Sequence, residues 1–144
     1  MRTSIQNDIF DTETMRNEDE FIEDIRIKWG VNFEKLPIVY GFDYAILKDG
    51  EIIGFIELKN RQFNTTDFSD SMINLNKWLK GKELRDGTGL LTILACRYFD
   101  KDIYCKLTDD TERTVRWGAR TKNTRDWQDI GPAVHIDMKE FKPI

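Results

Sequence analysis

Apolar residues recur at helical spacing over residues 14–29, where Phe21, Ile22, Ile25 and Trp29 line one stripe and Gly30 supplies a stop. The first eleven or so residues ahead of that stripe read as a loose lead-in. After a loop containing Pro37 the pattern changes. An apolar run over 38–47 and a second over 51–59 flank Lys48-Asp49-Gly50, a hairpin signal. Thr65, Thr66, Ser69 and Asp70 are N-cap candidates for a helix carrying Phe68, Met72, Leu75 and Leu79 at three-to-four spacing and ending between Gly81 and Gly87. Residues 90–99 are strongly β-forming, and Asp100-Lys101 turns them into a strand over 103–107. A polar, basic stretch over 113–125 begins with a short strand, and Gly131-Pro132 precedes a last strand over 133–136. Helix, strands, helix, more strands: the order predicts an α/β fold with a mixed central sheet flanked by helices.

Length and composition narrow the class. A chain of 144 residues predicts a single domain over 1–144, and 40% apolar with 33% charged residues suits a globular protein with a charged surface. No apolar run approaches the ~20 residues of a membrane span. Residues 1–11 lack the basic start and apolar stretch of a signal peptide, so a cytoplasmic location is expected, in the host cell if the protein is viral. Cys96 and Cys105 have no metal-type spacing and are expected as free core thiols, opposite each other if Asp100-Lys101 makes a two-residue turn. The net charge of −4 weighs against nucleic-acid binding as a bulk property. A local stripe opposes it: Arg113, Arg116, Arg120, Lys122 and Arg125 lie close together, interleaved with Trp117 and Trp127. Such a stripe tracks a phosphate backbone, or is a solvated loop whose tryptophans turn inward. His135, the single histidine, reads as a surface or satisfied core residue, and Trp29 and Trp78 as core aromatics.

The candidate chemistry lies in the first half. At about 100° per helical residue, Glu18 falls within the stripe formed by Phe21, Ile22, Ile25 and Trp29, whereas Asp19, Glu20, Glu23 and Asp24 point away from it. A carboxylate on a core-facing stripe is costly unless paired or bound to a cation. The alternative is a helix that begins near Glu18, whose charge then suits the positive helix end. In the hairpin, a three-residue loop at Lys48-Asp49-Gly50 would make Asp43 and Glu57 diagonal neighbours on one face, joined there by Lys59. A two-residue Asp-Gly loop would put Asp43 on the opposite face. Glu57-Leu58-Lys59 is a weak triplet alone, matched by Asp137-Met138-Lys139 and Glu140-Phe141-Lys142, but it alone ends an apolar strand with an acidic hairpin partner.

Glu18, Asp43 and Glu57-Leu58-Lys59, in that order, resemble the PD-(D/E)XK nuclease superfamily, with Phe42 in place of the signature proline. The resemblance spans roughly residues 14–107, leaving 108–144 as a C-terminal basic segment and strand. The small size is similar to phage-encoded, Holliday-junction-resolvase-like or VRR-type members. The resemblance implies a restriction-endonuclease-like core and an Mg²⁺-dependent DNA endonuclease of recombination, repair or phage genome processing, with Mn²⁺ able to substitute. Asp43, Glu57 and the Leu58 carbonyl would hold the cation, Glu18 would support it, and Lys59 would act on the attacking water. Arg61, Arg116, Arg120, Lys122 and Arg125 would meet DNA, and a homodimer would suit symmetric cutting of branched or duplex substrates. Two other readings stay open: an inactive nucleic-acid-binding module of the same fold, and an acidic protein–protein interaction or inhibitor domain.

Overall fold

A computed structural model describes residues 4–118 and 131–144. Helix α1 (Ser4–Trp29) begins well before residue 14, so the predicted lead-in is helical from Ser4 onward. Ile5 and Ile9, four apart, with Phe10 beside Ile9, are the early hint in an otherwise polar stretch. Gly30 ends the helix as expected, with φ 65° and its N–H donating to the Arg26 carbonyl at 3.0 Å. Strand β1 (Asn32–Lys35) follows, then a 3-10 turn (Ile38–Tyr40), β2 (Tyr44–Lys48) and β3 (Glu51–Asn60). Next come β4 (Asp70–Asn74), helix α2 (Leu75–Thr88), β5 (Leu91–Arg97) and β6 (Asp102–Lys106). The remaining strands are β7 (Arg113–Trp117), β8 (Pro132–Asp137) and β9 (Lys142–Pro143).

The central sheet has the order β1-β2-β3-β5-β6-β9, in which β3 and β5 run parallel and the other pairs antiparallel. A second sheet, β4-β8-β7, is antiparallel. Phe21 and Ile25 of α1 pack on Tyr44, Ile46, Ile56, Leu58, Ile93 and Ala95, one face of the central sheet. On the other face, Ala45, Phe55, Leu94 and Cys96 pack with Trp78 of α2 and with Ile73, Val134 and Ile136 of the small sheet. Burial on both faces is why β3 and β5 read as nearly continuous apolar runs. The mixed α/β architecture predicted from the element order is the one observed.

Three local expectations are corrected. The run over 38–47 is interrupted: Pro37 and the left-handed Gly41 (φ 75°) bracket the 3-10 turn, and only Tyr44 onward is strand. The helix predicted from Thr65–Asp70 starts at Leu75, because residues 70–74 follow a period of two, with Ser71 and Ile73 buried and their neighbours half-buried. Asn74 is its cap, accepting from the Asn76 N–H at 2.8 Å, and Gly81 lies inside it, buried against Phe42. Third, the β5–β6 loop is four residues long, since Arg97 pairs with Asp102. Cys96 therefore faces Ile103 rather than Cys105, and both cysteines are free and buried.

The β2–β3 hairpin corrects a fourth expectation, and the candidate site depends on it. Lys48 pairs with Glu51 across a two-residue Asp49-Gly50 turn, both residues with positive φ (52° and 81°). A regular ladder from that turn would have placed Asp43 and Glu57 on opposite faces. Instead Leu47 pairs with Ile52 but Ile46 with Gly54, so Ile53 is an extra residue in β3. This bulge shifts the register by one, and Tyr44 comes to face Ile56.

Candidate active site

One step beyond the Tyr44–Ile56 pair, Asp43 stands level with Glu57 at the mouth of the hairpin. Its carboxylate accepts the Leu58 N–H at 2.8 Å. The N–H and C=O of one strand residue point to the same side, so the Leu58 carbonyl also faces the Asp43 side. Glu57 shares its face with Phe55 and is only 2% exposed. Its Oε2 lies 4.0 Å from the Lys59 Nζ and 3.5 Å from the Lys77 Nζ, while Oε1 is buried with no hydrogen-bond partner among the described residues. Burial, then the nearby Asp43 charge, push the Glu57 carboxyl up to about 8 despite the two lysines.

Glu18 is held differently. It lies well inside α1, so the reading in which it opens the helix is set aside. Lys35 of β1 donates to its Oε1 at 3.0 Å and lies over the Tyr44 ring, 4.8 Å from the centroid. Burial and, after it, the Asp43 charge raise the Glu18 carboxyl, and the Lys35 contact opposes them. Glu18 thus stands within the electrostatic reach of Asp43, in a groove of about 600 Å³ that Phe33 and Tyr44 also line.

Among the described residues no three His, Cys, Asp or Glu side chains converge closely enough to hold a metal on their own. Asp43, Glu57 and the Leu58 carbonyl nevertheless fit a hard divalent cation, which takes oxygen donors and keeps positions for water. The bare Glu57 Oε1 is a buried oxygen that requires a partner.

The basic candidates are more scattered. Arg61 bonds the Met72 carbonyl, and its own N–H donates to the Arg97 carbonyl at 2.8 Å, so it ties the end of β3 to β4 and β5. Arg116 of β7 reaches Asp70 at 2.7 Å, and Asp70 also faces His135 Nδ1 at 3.4 Å. Arg120, Lys122, Arg125 and Trp127 lie outside the described residues. Trp78 is buried and Trp29 packs edge-on against Tyr104, as expected of core aromatics. Two lysines escaped the sequence reading. Lys35 sits on a four-residue strand too short to announce itself. Lys77 looked like any helical lysine, and only the true start of α2 places it in the first turn, beside Glu57.

A family described as "Phage putative PDDEXK endonuclease" matches residues 6–144, nearly the whole chain. The chain belongs to this family. Membership in the phage PD-(D/E)XK endonucleases makes it a nuclease, a phosphodiester hydrolase. The fold is similar to that of Hjc, a Holliday junction resolvase of the archaeal hyperthermophile Archaeoglobus fulgidus, with a TM-score of 0.57 over 88% of this chain and 90% of that one. At 14% identity the likeness is one of fold. Comparison with curated proteins finds no match. Among the described residues no helix is long and apolar enough to cross a membrane.

Proposed function

We propose that this nuclease is a divalent-cation-dependent DNA endonuclease, using Mg²⁺ with Mn²⁺ as a substitute, and that its cation site is Asp43, Glu57 and the Leu58 carbonyl. The observation that carries the reading is the buried, unpartnered Glu57 Oε1 beside a second carboxylate. Two neighbouring carboxylates repel, and Lys59 and Lys77 reach only Oε2. When bound, a divalent cation supplies Lewis acidity that polarises a phosphate and acidifies water. Lys59 would donate to the attacking water and orient it; as the water oxygen bonds to phosphorus and the bond to the leaving sugar oxygen breaks, the water gives a proton to solvent and the leaving oxygen takes one from solvent. Lys77 neutralises Glu57, leaving Lys59 free to face the water. Glu18 adds negative charge at the outer side of the site. Arg116, with its sequence neighbours Arg120, Lys122 and Arg125, would meet the phosphate backbone of the DNA.

Branched DNA is the first substrate to try, because the similarly folded Hjc is a Holliday junction resolvase. Symmetric cutting of a junction calls for two active sites and hence a homodimer, acting in recombination, repair or phage genome processing. Cleavage of junction, single-stranded and linear duplex DNA with Mg²⁺, Mn²⁺ or EDTA tests the proposal. Cutting in both cations and none in EDTA is expected; cutting unaffected by EDTA would contradict it.

A further inference from the structure

Ile38, Val39 and Tyr40 are 97%, 76% and 49% exposed, three consecutive large apolar side chains at the tip of one loop. Single apolar residues on a surface need no explanation, but a contiguous apolar tip does. This tip is held firmly. The Leu36 N–H donates to the Asp43 carbonyl at 2.9 Å and closes the loop at its root. Within it, the Tyr40 N–H donates to the Pro37 carbonyl at 3.1 Å and the Gly41 N–H to the Ile38 carbonyl at 3.0 Å. Phe42 plugs into the core against Gly81, and Gly41 lies so close to α2 that a Cβ there would sit 2.6 Å from Lys80 Cγ.

The residue that closes this loop is the one whose carboxylate stands level with Glu57, so the tip projects from the edge of the candidate active site. Lys80 of α2 lies at its base, while Lys35 and Lys77 are engaged by Glu18 and Glu57. The Lys80 partner is the exposed Glu83, at 3.5 Å, a surface pair of little strength. A rigid apolar tip at the edge of a nuclease site, with Lys80 at its base, matches nucleic acid, which presents phosphates outside and apolar base faces between its steps.

Resting on the nuclease reading above, we infer that Ile38 and Val39 form a wedge that enters an opened base step beside the scissile phosphate. Insertion of apolar side chains partly unstacks and kinks a duplex, at a cost smallest where stacking is already interrupted. The wedge therefore favours branch points, nicks and mismatches over intact duplex.

The test uses junction and duplex DNA carrying 2-aminopurine near the branch, and three variants: Lys59→Ala for binding without cutting, Ile38→Ser/Val39→Ser, and Ile52→Ser as a control. Ile52 is also exposed but lies ~17 Å from Glu57 along β3, at ~3.4 Å per residue. The Lys59→Ala protein should raise 2-aminopurine fluorescence on the junction. Adding Ile38→Ser/Val39→Ser to it should abolish that rise. In the active background the double substitution should lower junction kcat/KM about tenfold, within the range found for losing one base-stacking contact, with melting temperature unchanged. Ile52→Ser should do neither. Unchanged fluorescence and cutting in the double variant would overturn the wedge, as would conversion of a wild-type dimer to a monomer, which would make the tip a self-contact. Failure of the nuclease reading shows separately, as no cation-dependent cutting by wild type. A fluorescence rise that still depends on Ile38 and Val39 would then sustain the wedge, and its absence would end both.

Discussion

Glu57 is a carboxyl whose neutral form the folded protein favours. In the cation-free protein its pKa of about 8 lies above the unfolded value near 4.5, because burial and Asp43 outweigh Lys59 and Lys77. A raised folded pKa gives stability that is fully present below about 4.5 and is lost as pH rises through about 8. Thermal melts in EDTA should therefore show wild type losing on the order of a few kcal/mol across that window. Glu57→Gln, which cannot ionise, should remove this component of the slope and be the more stable protein at pH 9; parallel slopes would contradict the assignment. Lys77 belongs to the same account. It lowers the Glu57 pKa, so Lys77→Ala should reduce cation-dependent cutting at pH 7 roughly tenfold, the equivalent of one pKa unit, and recover part of it at pH 9. Lys59→Ala raises the Glu57 pKa as well, but because it also removes the group facing the water its cutting should stay low at pH 9, and pH–rate profiles of the two variants separate the roles.

The β2–β3 hairpin is the element on which the site turns. Its two-residue turn and its Ile53 bulge each shift the alignment by one residue, and together they return Asp43 to the level of Glu57. Deleting Ile53 removes the bulge but leaves Ala45 opposite Phe55 and Tyr44 opposite Ile56. That variant is expected to keep cation-dependent cutting, and loss of cutting in a folded deletion protein would contradict the register argument. The loop ahead of β2 is more exacting. Gly41→Ala should cost about 1–3 kcal/mol in urea melts, through its left-handed φ and the overlap with Lys80, and lower activity by disturbing Asp43. How far the sequence showed these elements follows from what each period can carry. The stripe of α1, with Glu18 inside it, was legible because Phe21, Ile25 and Trp29 repeat along one face. Glu57-Leu58-Lys59 was legible as the end of a strand and Asp43 as its acidic hairpin partner, though the bulge that aligns them was not: Ile53 looks like any β-branched strand residue. The five residues of β4 were mistaken for helix because Met72 and Leu75 satisfy a spacing of three as well as a strand that ends between them.

At the scale of the whole molecule, the parallel β3–β5 pair requires a crossover, and β4 and α2 supply it, which brings Lys77 over the face that carries Glu57. No sequence pattern announces that meeting, since it depends on how a crossover packs. Phe42, the departure from the signature proline, has a structural role in the same layer: it fills the space over Gly81 and anchors the chain one residue before Asp43. The two-sided core also accounts for the cysteines. Burial raises both thiols, Cys105 to about 12, so neither should react with a thiol reagent faster than the protein unfolds. Rapid labelling of either in the native protein, followed by mass spectrometry, would contradict the packing.

Asp43, Glu57 and Lys59 acting together as a cation-dependent hydrolytic site is the central claim. Its most direct measurement is single-turnover cleavage of a branched DNA with Mg²⁺, with Mn²⁺ and with EDTA, wild type beside Lys59→Ala. Cutting by wild type in both cations, none in EDTA, and a loss of about a hundredfold in Lys59→Ala, the cost of a reacting water displaced by about 1 Å, is the result expected. Equal cutting by Lys59→Ala, or cutting by wild type that persists in EDTA, would contradict it.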